Sequence, residues 1–300
     1  MRSIDFFRKG ALSLLKQHLK RRLLVLLAAL LLLGLWWGNN TISCEEYTFS
    51  SPRLPQGWDG ARIVHLSDLH GKEFGRGNTR LLRAVAKAQP ELIVITGDIA
   101  DQQSGLDTLP ALLQGLTDIA PVYYISGNHE WAAGFIGELR QLFGETGVTY
   151  LRNEFVSLTR NGEDILLAGI EDPNGYADQK RPQEVADEAR AAGDSFWLLL
   201  AHRNNRFRGE YCALGADLTL CGHGHGGIWR PPFTDGFIST TLELFPSFTN
   251  GFYTCDCGQC GGAQVFVSRG LGNSPRIPRI LNRPEVAVLT LEISDNEVVL

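Results

Sequence analysis

The chain has 300 residues, 44% of them hydrophobic and 9% aromatic, with 33 glycines and 13 prolines, a composition that supports one large globular domain or two small ones and excludes a disordered chain. The formal charge of −5 conceals an asymmetry: residues 1–22 carry seven basic side chains against one acid, leaving 21 basic and 32 acidic residues, a net of −11, in the remainder. So acidic a globular part argues against nucleic acid as a partner, because phosphate backbones are gripped by clustered Lys and Arg.

Residues 1–22 read as a basic cytoplasmic segment, in which Ile4 to Leu19 could form an interfacial helix or a simple stub. Leu23 to Trp37 is an unbroken apolar run of 15 residues behind Lys20-Arg21-Arg22, and residues 23–38 read as a transmembrane anchor. Such a run spans roughly 22 Å as a helix, short of the ~30 Å hydrocarbon core, with the basic residues and Trp36-Trp37 placed to extend it at either interface. A cleaved signal peptide lacks a small-x-small site after the tryptophans, and Thr41-Ile42-Ser43-Cys44 is a poor lipidation motif. The basic residues before the run predict that everything after it lies outside the cytoplasm.

Residues 39–60 read as a polar, Pro-containing linker and first strand, and residues 61–300 as the main globular domain. In chain order, Arg62–Ser67, Leu92–Thr96, Val122–Ser126, Phe196–Ala201 and Leu218–Cys221 read as short buried strands. Between them, Leu81–Ala88, Leu109–Leu116, Phe135–Phe143 and Glu184–Ala192 have helical periodicity, the alternation expected of an α/β layered fold. Phe237–Leu242, Ala263–Ser268, Val286–Leu291 and Glu297–Leu300 read as further strands without intervening helices, suggesting a second, partly antiparallel sheet.

The informative pattern lies where the five buried strands end. They deliver in turn Asp68-Leu69-His70, Gly97-Asp98, Gly127-Asn128-His129-Glu130, Ala201-His202 and Gly222-His223-Gly224-His225, so five of the seven histidines in the chain sit at strand ends. This is the edge at which α/β sheets bind ligands. Imidazole, carboxylate and amide donors without thiolate suit Mn, Fe, Zn or Ni. His65 and His18 fall outside the pattern and read as non-catalytic.

This ordered set, with the flanks Leu66 to Gly71, Gly222 to Gly227, Ser268 to Gly272 and Arg283-Pro284-Glu285, resembles the calcineurin-like metallophosphoesterase superfamily, and within it the membrane-anchored or exported bacterial phosphodiesterases. The resemblance covers about residues 43–300. It implies a four-layered α/β/β/α sandwich holding two divalent metal ions, Asp68, His70 and His225 on one, Asn128, His202 and His223 on the other, and Asp98 between them. It further implies a bridging hydroxide as nucleophile and His129 as the acid that protonates the leaving oxygen, with Glu130 placed to orient that imidazole. Gly224 departs from the branch, which more often has Thr there, at no cost in ligands. Arg203 could meet a substrate phosphate or be structural.

The expected reaction is hydrolysis of phosphodiester or pyrophosphate bonds in a phosphorylated small-molecule or lipid substrate. A protein Ser/Thr phosphatase and a non-catalytic membrane-attached scaffold of the same fold are the alternatives, although no ligand position is degenerate. Cys255-x-Cys257-x-x-Cys260 is foreign to the family pattern; in an oxidising compartment one disulfide among the three is expected, with a thiol cluster or an extra metal site as the alternative.

Overall fold

The computed structural model describes residues 2–175, 179–258, 260–273 and 277–294, with side chains described from residue 16 onward. One helix, α1 (Arg2–Asn40), runs through the residues expected to form the basic segment and the anchor. Its stretch Lys16–Asn40 is 25 residues, long and apolar enough to cross a membrane. At 1.5 Å per residue that is about 37 Å, so helix continuing on both sides of the leucine run removes the shortfall in length.

Two six-stranded sheets follow. The first has the order β1-β12-β2-β3-β4-β5, formed by β1 (Ser43–Ser51), β12 (Glu285–Ile293), β2 (Arg62–Leu66), β3 (Leu92–Thr96), β4 (Val122–Ile125) and β5 (Thr149–Tyr150). All neighbours are parallel except β12 and β2. The second has the order β10-β11-β9-β8-β7-β6, formed by β10 (Gly251–Thr254), β11 (Gln264–Val267), β9 (Leu218–Gly222), β8 (Trp197–Arg203), β7 (Glu163–Gly169) and β6 (Glu154–Arg160). Its three central pairings are parallel and its two outer ones antiparallel.

Three apolar layers alternate with these sheets. Ile63, Val94, Leu198, Leu220, Phe266 and Leu289 fill the space between the two sheets. Helices α2 (Thr79–Ala88), α4 (Leu109–Thr117) and α6 (Ile136–Thr146) cover the outer face of the first sheet through Leu81, Leu113 and Leu139. Helix α7 (Pro182–Ala191) covers the second sheet through Val185, Ala186 and Ala189. The order is helix, sheet, sheet, helix, the four-layered α/β/β/α sandwich.

Several elements differ from expectation. Strands β8 and β9 belong to the second sheet, whereas β12 joins the first. Phe237–Leu242 is not a strand: Ile238 makes only isolated bridges to Ile228, Trp229 and Leu244, and left-handed backbone at Gly236 and Leu242 interrupts extension on either side. The hairpin of β6 and β7 was not anticipated, although Asn161-Gly162 at its tip, with φ of 52° and 83°, is the dipeptide that favours a two-residue hairpin turn. Expected strand Glu297–Leu300 lies outside the described residues.

The end of α1 is joined to the sandwich by specific contacts. Asn39 donates to the Arg279 carbonyl at 2.9 Å and accepts from the Arg279 backbone N–H at 2.9 Å. Lys72 donates to the Asn39 carbonyl, and the Arg283 guanidinium stacks 4.6 Å from the Trp37 ring. Arg279 is itself fully buried, its guanidinium donating to the carbonyls of Arg269, Gly270 and Gly272.

Candidate metal centre

The loops leaving β2, β3, β4, β8 and β9 meet at one edge of the sandwich. The first two run side by side, the N–H groups of Asp68, His70 and Gly71 donating to the carbonyls of Gly97, Asp98 and Ile99. Such tight convergence leaves no room for side chains at two glycines. A Cβ on Gly127 would lie 2.2 Å from Asp98 Oδ1, and one on Gly222 would lie 1.8 Å from Ser67 Oγ. Asp68, His70, Asp98, His223 and His225 all adopt left-handed backbone, with φ between 47° and 65°. For non-glycine residues each such conformation costs on the order of 1 kcal/mol and persists only where the surroundings enforce it, as they do at binding sites.

All seven residues expected to bind metal come together. His70 Nε2 is 3.2 Å from His225 Nε2, and His225 Nε2 is 3.7 Å from Asp68 Oδ1. On the other side, His202 Nε2 lies 3.1 Å from each of Asn128 Oδ1, His223 Nδ1 and Asp98 Oδ2. Asp98 Oδ2 is also 4.0 Å from His70 Nε2, which places this carboxylate between the two groups. Asp68 with His70 and His225, and Asp98 with His202 and His223, each offer three ligand atoms within 4.8 Å of one another.

The electrostatics require a cation here. His202 Nδ1 is 2.7 Å from the Thr96 carbonyl and must carry a proton there. Its Nε2 then faces the oxygens of Asn128 and Asp98 and the ring nitrogen of His223, so positive charge, as a proton or a metal ion, must mediate between them. With a proton alone, burial opposes the imidazolium but the Asp98 carboxylate outweighs it, raising the His202 pKa to about 10. Burial likewise opposes the Asp98 carboxylate, yet the imidazoles, His202 foremost, hold it well below the usual carboxylate range. Burial lowers His70, His223 and His225, keeping their rings neutral with lone pairs available. This donor set of neutral imidazoles, carboxylates and an amide fits divalent metal ions.

Three neighbours take roles that the sequence did not disclose. Glu130 does not orient His129. Its buried carboxylate accepts from the N–H groups of Gly127 at 2.7 Å, Asp98 at 3.0 Å and Ile99 at 2.6 Å, fastening the loop after β3 to the start of α5 (Asn128–Ala133). Arg203 is structural, forming a two-pronged ion pair with the buried Asp172 at 2.6 and 2.9 Å. Asp101 stands 3.7 Å behind His70 Nδ1, and its position one turn beyond Gly97-Asp98 was the available signal. His129 donates its backbone N–H to Asp98 Oδ1 at 2.9 Å and sets its ring edge-on to His70 at 4.7 Å between centroids. His65 is fully buried against Thr96 and lies off the centre.

Residues 61–227, which contain every one of these positions, match the calcineurin-like phosphoesterase family. The uncharacterized metallophosphoesterase YkuE of Bacillus subtilis is 29% identical over 84% of this chain and 86% of its own length. The phosphodiesterase YaeI of Escherichia coli is 29% identical over 77% of this chain and 82% of its own. A transmembrane protein with a metallophosphoesterase domain from Bos taurus is 32% identical over 80% of this chain, which spans 55% of that protein.

Replacing Glu130 by Gln would present an amide NH₂ to N–H groups that now share a carboxylate. Hydrogen bonds to a charged group contribute ~1.5–3 kcal/mol each, so Glu130→Gln is expected to lose about 2–4 kcal/mol of stability and most metal retention. Thermal unfolding together with metal analysis of the dialysed variant checks this, and wild-type metal content in the variant would contradict it. The chain belongs to the calcineurin-like phosphoesterase family and is a metallophosphoesterase, a hydrolase of phosphoric ester bonds.

Proposed function

We propose that this protein hydrolyses phosphodiester or pyrophosphate bonds of a membrane- or envelope-associated substrate, using two divalent metal ions, with its catalytic domain outside the cytoplasm. Asp68, His70 and His225 would hold one ion, Asn128, His202 and His223 the other, and Asp98 would contact both. Bound there, the ions would supply Lewis acidity to the phosphoryl oxygens and acidify water. Thr96 fixes the His202 tautomer so that Nε2 faces inward, and Asp101 stands behind His70 in the manner of carboxylates that orient metal-binding imidazoles. His129, beside the centre with its backbone N–H on Asp98 and its ring against His70, would deliver the proton to the leaving oxygen.

The observation that carries the substrate reading is an apolar surface beside the membrane helix. Phe233, Leu242, Leu244, Phe245 and Leu281 are exposed. The first four follow Trp229, which bridges to Ile280, and Leu281 follows Ile280, two residues from Arg279 and its contact with Asn39 of α1. The segment carrying the first four also walls a cleft of about 290 Å³ that reaches His223, lined by Asn204, Arg208, Ser239, Thr241 and Phe248. Exposed apolar side chains on a segment that also walls a polar cleft suit a phosphorylated headgroup held at a bilayer surface. The acidic domain disfavours nucleic acid.

Asp98→Asn should lower metal content and remove most activity, whereas His129→Ala should keep its metals and lose turnover roughly 10²–10⁴-fold. Metal analysis alongside kcat separates the two roles, and loss of metal from the His129 variant would make His129 a ligand instead. Across a panel of metal-loaded assays, diesters and pyrophosphates should be cleaved more efficiently than monoesters; a large preference for monoesters would refute the substrate class. Protease added to intact spheroplasts should digest the domain, and protection until lysis would reverse the orientation.

A further inference from the structure

A second cluster of metal-binding side chains lies away from the catalytic edge. Cys212 sits in a short 3₁₀ turn, Tyr211–Leu214, on the outer face of the second sheet. Cys255, Cys257 and Cys260 lie in the loop that joins β10 to β11, 43 or more residues further along the chain. The fold brings all four sulfur atoms within 4.8 Å of one another. Cys257 Sγ is the hub, 2.9 Å from Cys260 Sγ, 3.2 Å from Cys255 Sγ and 3.8 Å from Cys212 Sγ. Contrary to the expected pairing within the loop, no disulfide forms.

We propose that Cys212, Cys255, Cys257 and Cys260 form a structural site for one zinc ion, separate from the catalytic metals. Four thiolates at Zn–S distances of about 2.3 Å stand about 3.8 Å apart at the corners of a tetrahedron, so a cation at the centre requires the two closest sulfurs to separate by only about 1 Å. The spacing of Cys257-x-x-Cys260 is that of a zinc-binding turn. Left-handed glycines at 258, 261 and 262 let the backbone fold around it. The loop is closed at its base by the Cys255 N–H to Ala263 carbonyl bond of 2.8 Å and the Ala263 N–H to Cys260 carbonyl bond of 3.0 Å.

Metal uptake also answers the chemistry of the thiols. Burial and the adjacent cysteines push the Cys212 thiol well up, and burial raises Cys255 in the same direction. Without a cation Cys212 and Cys255 keep their protons. Binding Zn²⁺ exchanges up to four S–H protons, released to solvent, for four Zn–S bonds, and leaves a site of net charge −2. Arg208 lies close by, its carbonyl accepting from Cys212 at 3.2 Å and its guanidinium paired with Asp256 in the same loop.

The site would act on the region that shapes the substrate cleft. The excursion between β9 and β11 contains the cleft-lining residues from Ser239 to Thr249. It returns to the sheet through β10, directly before Cys255, with Phe248 packed against Phe207 and Tyr253. A four-cysteine cross-link would tie that return to the segment after β8, which supplies His202.

Cobalt spectroscopy on the detergent-purified full-length protein tests this, because the catalytic centre contains only nitrogen and oxygen donors. Cobalt(II) loading under reducing, anaerobic conditions should give a thiolate-to-cobalt charge-transfer band in the near ultraviolet and intense tetrahedral d–d bands, all displaced by one equivalent of zinc. The bands should survive in Asp98→Asn and vanish in Cys255→Ser/Cys260→Ser, which should also hold one zinc fewer per chain. Cys260→His, which keeps four ligands, should retain the zinc with a shifted spectrum, and so separates loss of a ligand from failure to fold. Absence of the charge-transfer band from the loaded wild-type chain would overturn the proposal. So would mass mapping of protein purified without reductant that finds these cysteines joined in disulfides.

Discussion

The Glu130 carboxylate is the interaction on which the catalytic edge depends. It accepts from N–H groups on two neighbouring loops, so that Asp98 and Asn128, which belong to different strands, are held as one unit. Burial raises its pKa to about 7, with Asp98 adding to the shift, a measure of how much the backbone amides must offset to keep an anion there. The loop after β2 then lies along the loop after β3, and the His223 N–H closes the circuit by donating to Asp68 at 2.9 Å. The left-handed residues are consequences of this arrangement: each strand end must turn sharply to aim a side chain at a common point, and the shared hydrogen bonds hold it there.

Polar and apolar networks divide the labour between them. The layer between the sheets is mostly apolar, with Phe266 against Tyr47, His65 and Phe252. Burial lowers the His65 pKa to about 3, so the ring is neutral and serves as a packing group with one hydrogen bond to Thr96. Thr96 in turn positions His202 through its carbonyl. The rigid interior therefore reaches the metal centre by way of a single β3 residue.

The positions of the candidate site were legible in the sequence because each group follows its own buried strand and local pattern alone marks it. Asp68-x-His70 and Gly222-His223-Gly224-His225 need only the neighbouring residues to be noticed. Sheet membership was not legible in this way. Strands β8 and β9 look like β2 and β3 in composition, and only their pairings with β7 and β11 assign them to the second sheet. Glu130 and Arg279 were obscure for a related reason, since their partners are backbone groups, and backbone groups leave no trace in residue type. Cys212 could not be joined to the later cysteines without the fold, because nothing in a chain separation of 43 residues signals contact.

The contact between Asn39 and Arg279 has a geometric consequence. A helix turns by about 100° for each residue, and fixing its last turn to the backbone of a fully buried residue removes freedom to swivel against the domain. In a bilayer, the helix then behaves less like a tether than like a fixed post: the angle of its axis to the domain sets the pitch at which the domain meets the surface. Lengthening the helix ahead of Asn39 by a whole turn would lift the domain about 5.4 Å from the surface without altering any residue at the candidate metal centre.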